Sequence, residues 1–257
     1  MSDTQVAKKK NGALSIPNED LLADVGKGLE KANSDDMTIP RLALVQSGSP
    51  QRKKKDDKYI DGAEEGMVFN TVSNKLYSDT FYVVPCEFEK VFIEWVPRES
   101  GGGLVTIYNS SNKPQAQKEE NGRRFLLENG NQLVDTAQHY VMVVGKDGTF
   151  EPAVMSMSSS LLTVSRNWVT RMKLQRENVN GKLVEPPTFY YKWPISTIEK
   201  TNSDGSWFIY KVGNPEPVDN LDLYNAAKSL SESVRKGTAT ADTSTDSELA
   251  RHCNVFC

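Results

Sequence analysis

The chain has 257 residues, 37% of them hydrophobic and 25% charged, enough for one large or two small domains with a full core. No apolar run approaches the roughly 18 residues that span a bilayer, and a net charge of −3 excludes a uniformly basic nucleic-acid binder. Three cysteines, Cys86, Cys253 and Cys257, make no disulfide framework, so a reducing intracellular setting is expected.

Residues 1–17 are polar and charged, with no apolar h-region of a secretory signal, and are expected to be disordered. Asn18, Glu19 and Asp20 are placed to cap a short helix through Lys31, with Leu21, Leu22, Val25 and Leu29 at helical spacing. An apolar entry segment follows at 37–46, then the solvated charge run QRKKKDDK at 51–58. From Gly66 the pattern is β. Strands are expected at 67–72, at 81–88 and onward through the charged and aromatic residues to Trp95, and at 104–108 after the glycine-rich loop 98–103. Residues 110–120 form a long polar connection. Strands follow at 123–127, 139–144 and 150–157, the last two joined at Asp147-Gly148.

The serines 158–160 open the clearest helix. Leu161, Val164, Trp168 and Met172 fall on one stripe, with Arg166, Asn167, Thr170 and Lys173 facing away. Residues 188–193 (TFYYKW) are expected as an aromatic strand pairing with 207–212 across a turn at 202–205. Asp219 or Asn220 caps a last helix ending near Lys236, and 237–257 has a linker's composition. The charge is graded along this half. Residues 160–200 hold seven basic and three acidic side chains, +4, whereas 214–248 hold three basic and seven acidic, −4.

Strands without alternating helices predict a mostly β chain with minor α: an OB-like antiparallel β-barrel with long loops, one inserted helix and a C-terminal helix. A β-sandwich fits nearly as well. The expected organisation is a flexible segment at 1–36, the β-domain at 37–215, a helix at 216–236 and a disordered tail at 237–257.

The motifs of catalysis are missing. There is no Walker A ending after Gly101–Gly103, no nucleophile elbow, and Cys86 lies in an apolar strand. His139 sits in a strand, and the terminal His252, Cys253 and Cys257 lack a fourth zinc ligand. No enzyme, metal or cofactor is expected. What stands out is aromatic and basic side chains on strands beside a glycine loop, the composition that stacks bases and follows a phosphate backbone. The candidate stacking residues are Phe92, Trp95, Tyr108, Tyr190 and Tyr191. The candidate phosphate contacts are Lys90, Arg98, Arg123, Arg124, Arg166, Arg171, Lys173 and Arg176. The alternative for Trp95 is a place in the core, with Arg98 paired to Glu94 or Glu99.

The order Ile39-Pro40-Arg41-Leu42, Ser47-Gly48-Ser49-Pro50, Gly66-Met67-Val68-Phe69-Asn70 and Ile93-Glu94-Trp95-Val96-Pro97-Arg98, with the later Ser165-Arg166-Asn167-Trp168, resembles a widespread bacteriophage family. Some of its members resemble OB-fold single-stranded DNA-binding proteins of phage replication modules. The resemblance implies sequence-independent binding of single-stranded DNA in phage replication or recombination, in the host cytoplasm. It also implies partners among phage replication or recombination proteins, room for a homo-oligomer, and no membrane. The terminal Arg-His-Cys-Asn-Val-Phe-Cys departs from the acidic tail common in that class. The rival readings are a virion or assembly protein whose β-domain makes a protein interface, and a recombination or nuclease-associated factor acting on DNA ends.

Overall fold

In the computed structural model, residues 18–24, 27–31, 38–119, 124–203, 205–239 and 241 are described. The chain divides into two units, Met1–Met37 and Thr38–Cys257. In the first, α1 (Asn18–Ala23) stops well short of the expected Lys31, and the turn after it holds a Lys27–Asp24 ion pair of 2.6 Å. Of the expected stripe Leu21, Leu22, Val25 and Leu29, Leu22 and Leu29 are 72% and 75% exposed, so among the described residues these two give a longer helix no buried face.

The second unit runs β1 (Arg41–Leu44), β2 (Val68–Asn70), β3 (Leu76–Tyr77), β4 (Phe81–Val96), β5 (Gly103–Asn109), β6 (Gln117–Lys118), β7 (Phe125–Leu126), β8 (Gln132–Val144) and β9 (Phe150–Ser158). It continues through α2 (Leu161–Leu174), the hairpin β10 (Glu177–Val179) and β11 (Lys182–Val184), β12 (Tyr191–Asn202), β13 (Gly205–Val212), β14 (Glu216–Pro217) and α3 (Leu221–Arg235). The main sheet has the order β13-β12-β4-β8-β9-β1-β2-β3, antiparallel except for the parallel pair β1–β9.

The sheet is mostly antiparallel but open, which corrects the expected barrel. Among the described residues no backbone ladder joins β13 to β1. The sheet nevertheless curls until the two approach, and side chains span the gap. Tyr210 on β13 donates its hydroxyl to the Leu42 carbonyl at 3.1 Å. The Gln46 amide donates to the Phe208 carbonyl and accepts from the Phe208 N–H, both at 2.9 Å, taking the place of a strand partner. Gly66 is required here: at φ +82° a Cβ would lie 2.6 Å from the Phe208 ring.

The concave face carries the larger core, with Leu42, Val83, Val141, Met155, Trp193 and Tyr210 gathered around Trp168 of α2. The convex face is covered by α3, whose Leu223, Ala227, Leu230 and Val234 pack on Val84, Cys86, Tyr140 and Met142. Asn220 caps α3 as expected, its side chain accepting from the N–H groups of Asp222 and Leu223 at 2.8 and 3.1 Å. Ser160 does not cap α2: its backbone is already helical and its hydroxyl makes no capping bond. Ala241 forms a parallel bridge with Ile39, so the fold reaches past 237. Residues 242–257, with His252, Cys253 and Cys257, lie outside the described residues.

Two further strand expectations change. Residues 188–190 form a 3-10 turn, and the strand begins only at Tyr191. Its aromatic start pairs with β4, Trp193 against Val83, while β13 pairs with the later residues Ile195–Asn202. Trp193 is fully buried and belongs in the sheet's middle, where a hairpin with β13 would have left it at an edge.

Candidate functional site

One bulge sets up the site. Between Pro85 and Glu87 the pairing of β4 with β8 slips by one residue, so Pro85 faces Val141 and Glu87 faces Tyr140. Side chains alternate along a strand, and an extra residue reverses the parity beyond it. Before the bulge the odd residues Phe81 and Val83 point into the concave core. After it the even residues Phe88, Lys90, Phe92 and Glu94 share that side, while Val91, Ile93 and Trp95 turn to the convex side and cluster with Leu104, Ile107 and Val134. Beyond the bulge β4 lies between β8 and β5, which adds Tyr108 opposite Phe92 and Thr106 opposite Glu94.

The first turns of α2 stand beside this strip and enclose a cavity of about 250 Å³ lined by Phe88, Lys90, Asp135, Ser165 and Arg166 among others. Phe88 is 38% exposed, and its ring sits 5.1 Å from His139, which in turn stacks on Trp168 at 4.7 Å. His139 is held by a 2.8 Å bond to Ser165, and burial pushes its pKa down to about 3, so it is a neutral support beneath the groove. Lys90 pairs with Asp135 at 3.0 Å and lies 5.4 Å over the Phe92 ring. Lys113 covers the same ring at 4.3 Å. Neither Lys113 nor Arg166 has an acidic partner among the described residues.

At the far end of the strip the Glu94 carboxylate is buried. Desolvation pushes its pKa up, but hydrogen bonds from the Tyr108 hydroxyl (2.6 Å), the Asn131 amide (2.6 Å) and the Asn129 amide (2.9 Å) outweigh it and hold the carboxyl below its ordinary range. The carboxylate thereby ties the turn at 128–131 to β5.

Of the expected site residues, the structure brings Lys90, Phe92, Tyr108 and Arg166 to this strip. Phe92 is buried, 7% exposed beneath its two lysines, and the half-buried Tyr108 spends its hydroxyl on Glu94. Trp95 is 5% exposed on the opposite side of the sheet, so its ring offers no face to a base. Tyr191 is buried as well, its hydroxyl on Glu177, and Tyr190 is half-buried edge-on to it at 5.0 Å. Arg171 donates to the Val212 carbonyl at 2.8 Å and lies over Trp193 at 4.9 Å, which makes it a brace between α2 and β13. Arg176 donates to the carbonyls of Lys173 and Gln175, and Lys173 pairs with Glu185 at 2.9 Å. Arg124 pairs with Glu119 at 3.3 Å. Arg123 and the Arg98 side chain lie outside the described residues.

The sequence reading missed Phe88 and Lys113. Phe88 has a legible signal, since it continues the period of two through Lys90 and Phe92. Lys113 has none, because only the return of the 110–116 connection over β4 lays it on Phe92.

Fold and site together define a β-rich protein with a curled open sheet and a cationic, aromatic strip beyond its inserted helix. The chain belongs to the Pam3 phage gp34-like protein family, whose pattern matches residues 9–240, and the phage relationship expected from the sequence is borne out. No curated protein and no solved structure matches it.

Proposed function

We propose that this chain binds single-stranded DNA without sequence preference, as a non-catalytic protein of phage replication or recombination working in the host cytoplasm. The observation that carries the reading is the strip Arg166–Phe88–Lys90–Phe92–Lys113. It sets the exposed Phe88 ring and the buried, cation-covered Phe92 ring among three cations, two of them without acidic partners among the described residues. Phe88 to Phe92 spans four residues of strand, roughly 14 Å, along which one base can stack on the exposed Phe88 ring while the lysines and Arg166 follow the phosphates. In this use the curled open sheet is a platform that follows the backbone and the base faces, never the base edges.

Titration of a labelled oligothymidine at several salt concentrations tests it. Three phosphate contacts predict a log–log slope of about −2, at about −0.7 for each contact. Absence of binding at low salt rejects the reading, and binding with a flat salt response rejects the role of the three cations.

A second reading, a virion or assembly protein, is favoured by one observation. The β10–β11 hairpin carries Val179 and Leu183 at 52% and 74% exposed, beside Leu174 at 68%. Such a patch suits a protein interface, and the chain's presence in purified particles would support it over DNA binding.

A further inference from the structure

Beyond the DNA reading, we infer that two copies of this chain associate through the outer edge of β5, pairing strand to antiparallel strand across a twofold axis normal to the sheet. β5 pairs only with β4, so its other edge has no backbone partner among the described residues. Most of the other sheet margins are short or shielded, the edge of β9 away from its two pairs with β1 excepted. β3, β6 and β14 are two residues long, β13 is capped at Phe208 by Gln46 and carries Lys211, and the unpaired stretch of β12 carries Glu199 and Lys200. β5 is seven residues of GLVTIYN with no charge and no proline, and its one edge-blunting feature is the bulge at Val105.

A second copy is the occupant that this edge fits. Antiparallel pairing about a twofold sets each residue of β5 against β5 itself, and with no charge in the strand nothing repels. Val, Thr, Ile and Tyr at 105–108 are the residue types that form favourable cross-strand pairs. Val105, the extra residue of the irregularity opposite Glu94 and Trp95, is 48% exposed and would be covered.

The geometry has a consequence for the strip. A twofold normal to the sheet keeps the same face of both copies on the same side, so the two strips meet as one continuous surface, each ending on Tyr108 at the junction. This consequence rests on the proposed DNA role; the association itself does not.

Sedimentation velocity on the full chain without DNA tests the association. The wild type should sediment as a dimer, twice the chain mass of 28.6 kDa, at micromolar concentration. Val105→Lys, which sets a cation on the edge, should weaken dimerisation about tenfold or more, and its melting temperature should match that of the wild type at dilutions where both are monomeric. Val105→Cys should form a disulfide-linked dimer on oxidation, at a rate above that of the wild type. A monomeric wild type overturns the proposal, and so does a dimer that Val105→Lys leaves intact. Oligothymidine binding by a monomeric Val105→Lys keeps the DNA reading separate from the dimer. Under both proposals, a long oligonucleotide should favour the dimer over this variant by more than a short one does.

Discussion

The two halves of β4 are one strand in two environments. Its inner half is closed on both faces, with Val83 under Trp168 and α2 and Val84 under α3, and both are wholly inaccessible. Its outer half has a small cluster on one side, Val91, Ile93 and Trp95, and on the other a charged and aromatic strip. A single-residue bulge separates them. Core strands tolerate little polarity because a buried polar group without a partner costs a few kcal/mol. The outer half, with no helix among the described residues above its concave side past the start of α2, is where Lys90 and Phe88 can stand beside each other. The difference teaches that the core and the proposed binding surface of this protein are separable along one strand.

The largest test of that separation compares two tryptophans. Trp193→Ala opens the inner core and should cost about 5 kcal/mol of unfolding free energy, against about 3 for Trp95→Ala in the smaller outer cluster, which can collapse further. Urea denaturation measures both. The folded fraction of Trp95→Ala should bind oligothymidine like the wild type, and a loss of affinity there would return Trp95 to the binding surface.

Acid separates the halves next. His139 lies under the groove with its pKa pushed by burial from 6.5 down to about 3 in the folded chain. Between those values the unfolded chain takes up a proton that the folded chain refuses, so stability is present above pH 6.5 and falls with acidification. From pH 7 to pH 5 the loss should be about 2 kcal/mol. His139→Phe should remove that part of the slope whatever its effect at neutral pH. An unaltered slope in the variant would show that His139 is not the group responsible.

Phe88→Ala should weaken oligothymidine binding by about 1–3 kcal/mol with little change in melting temperature. A large drop in melting temperature with affinity intact would make Phe88 a cover for His139 and nothing more. The smallest effect is expected from Arg166→Gln, which removes one phosphate contact and should lower the salt slope by about 0.7. Because Arg166 is exposed and has no acidic partner among the described residues, stability should not move.

Much of the architecture is legible without coordinates. The β-branched and aromatic runs at β4, β8 and β9 specify strands, the stripe Leu161–Val164–Trp168–Met172 specifies α2, and Asn220 specifies the start of α3, since each is a local preference. Burial of Cys86 follows from the apolar run around it, and its thiol pKa is raised by desolvation accordingly.

The strip proposed to bind DNA is not legible to the same degree. A period of two says that neighbours in a strand face opposite ways, but not which side another element will cover. The bulge at Cys86 reverses that parity with no mark in the pattern, which sends Trp95 away from the strip and Phe88 into it. The basic segment 160–200 likewise conceals its division of labour. Arg171 and Arg176 are drawn to backbone carbonyls and Lys173 to Glu185, partners that exist only once α2 has docked or ended. Whether the sheet closes was decided the same way. The composition of β13 and β1 is compatible with a barrel. The parallel β1–β9 pair and the Gln46 amide seated on Phe208 leave instead an open seam, because closure depends on long-range register, and register is a property of the assembled sheet.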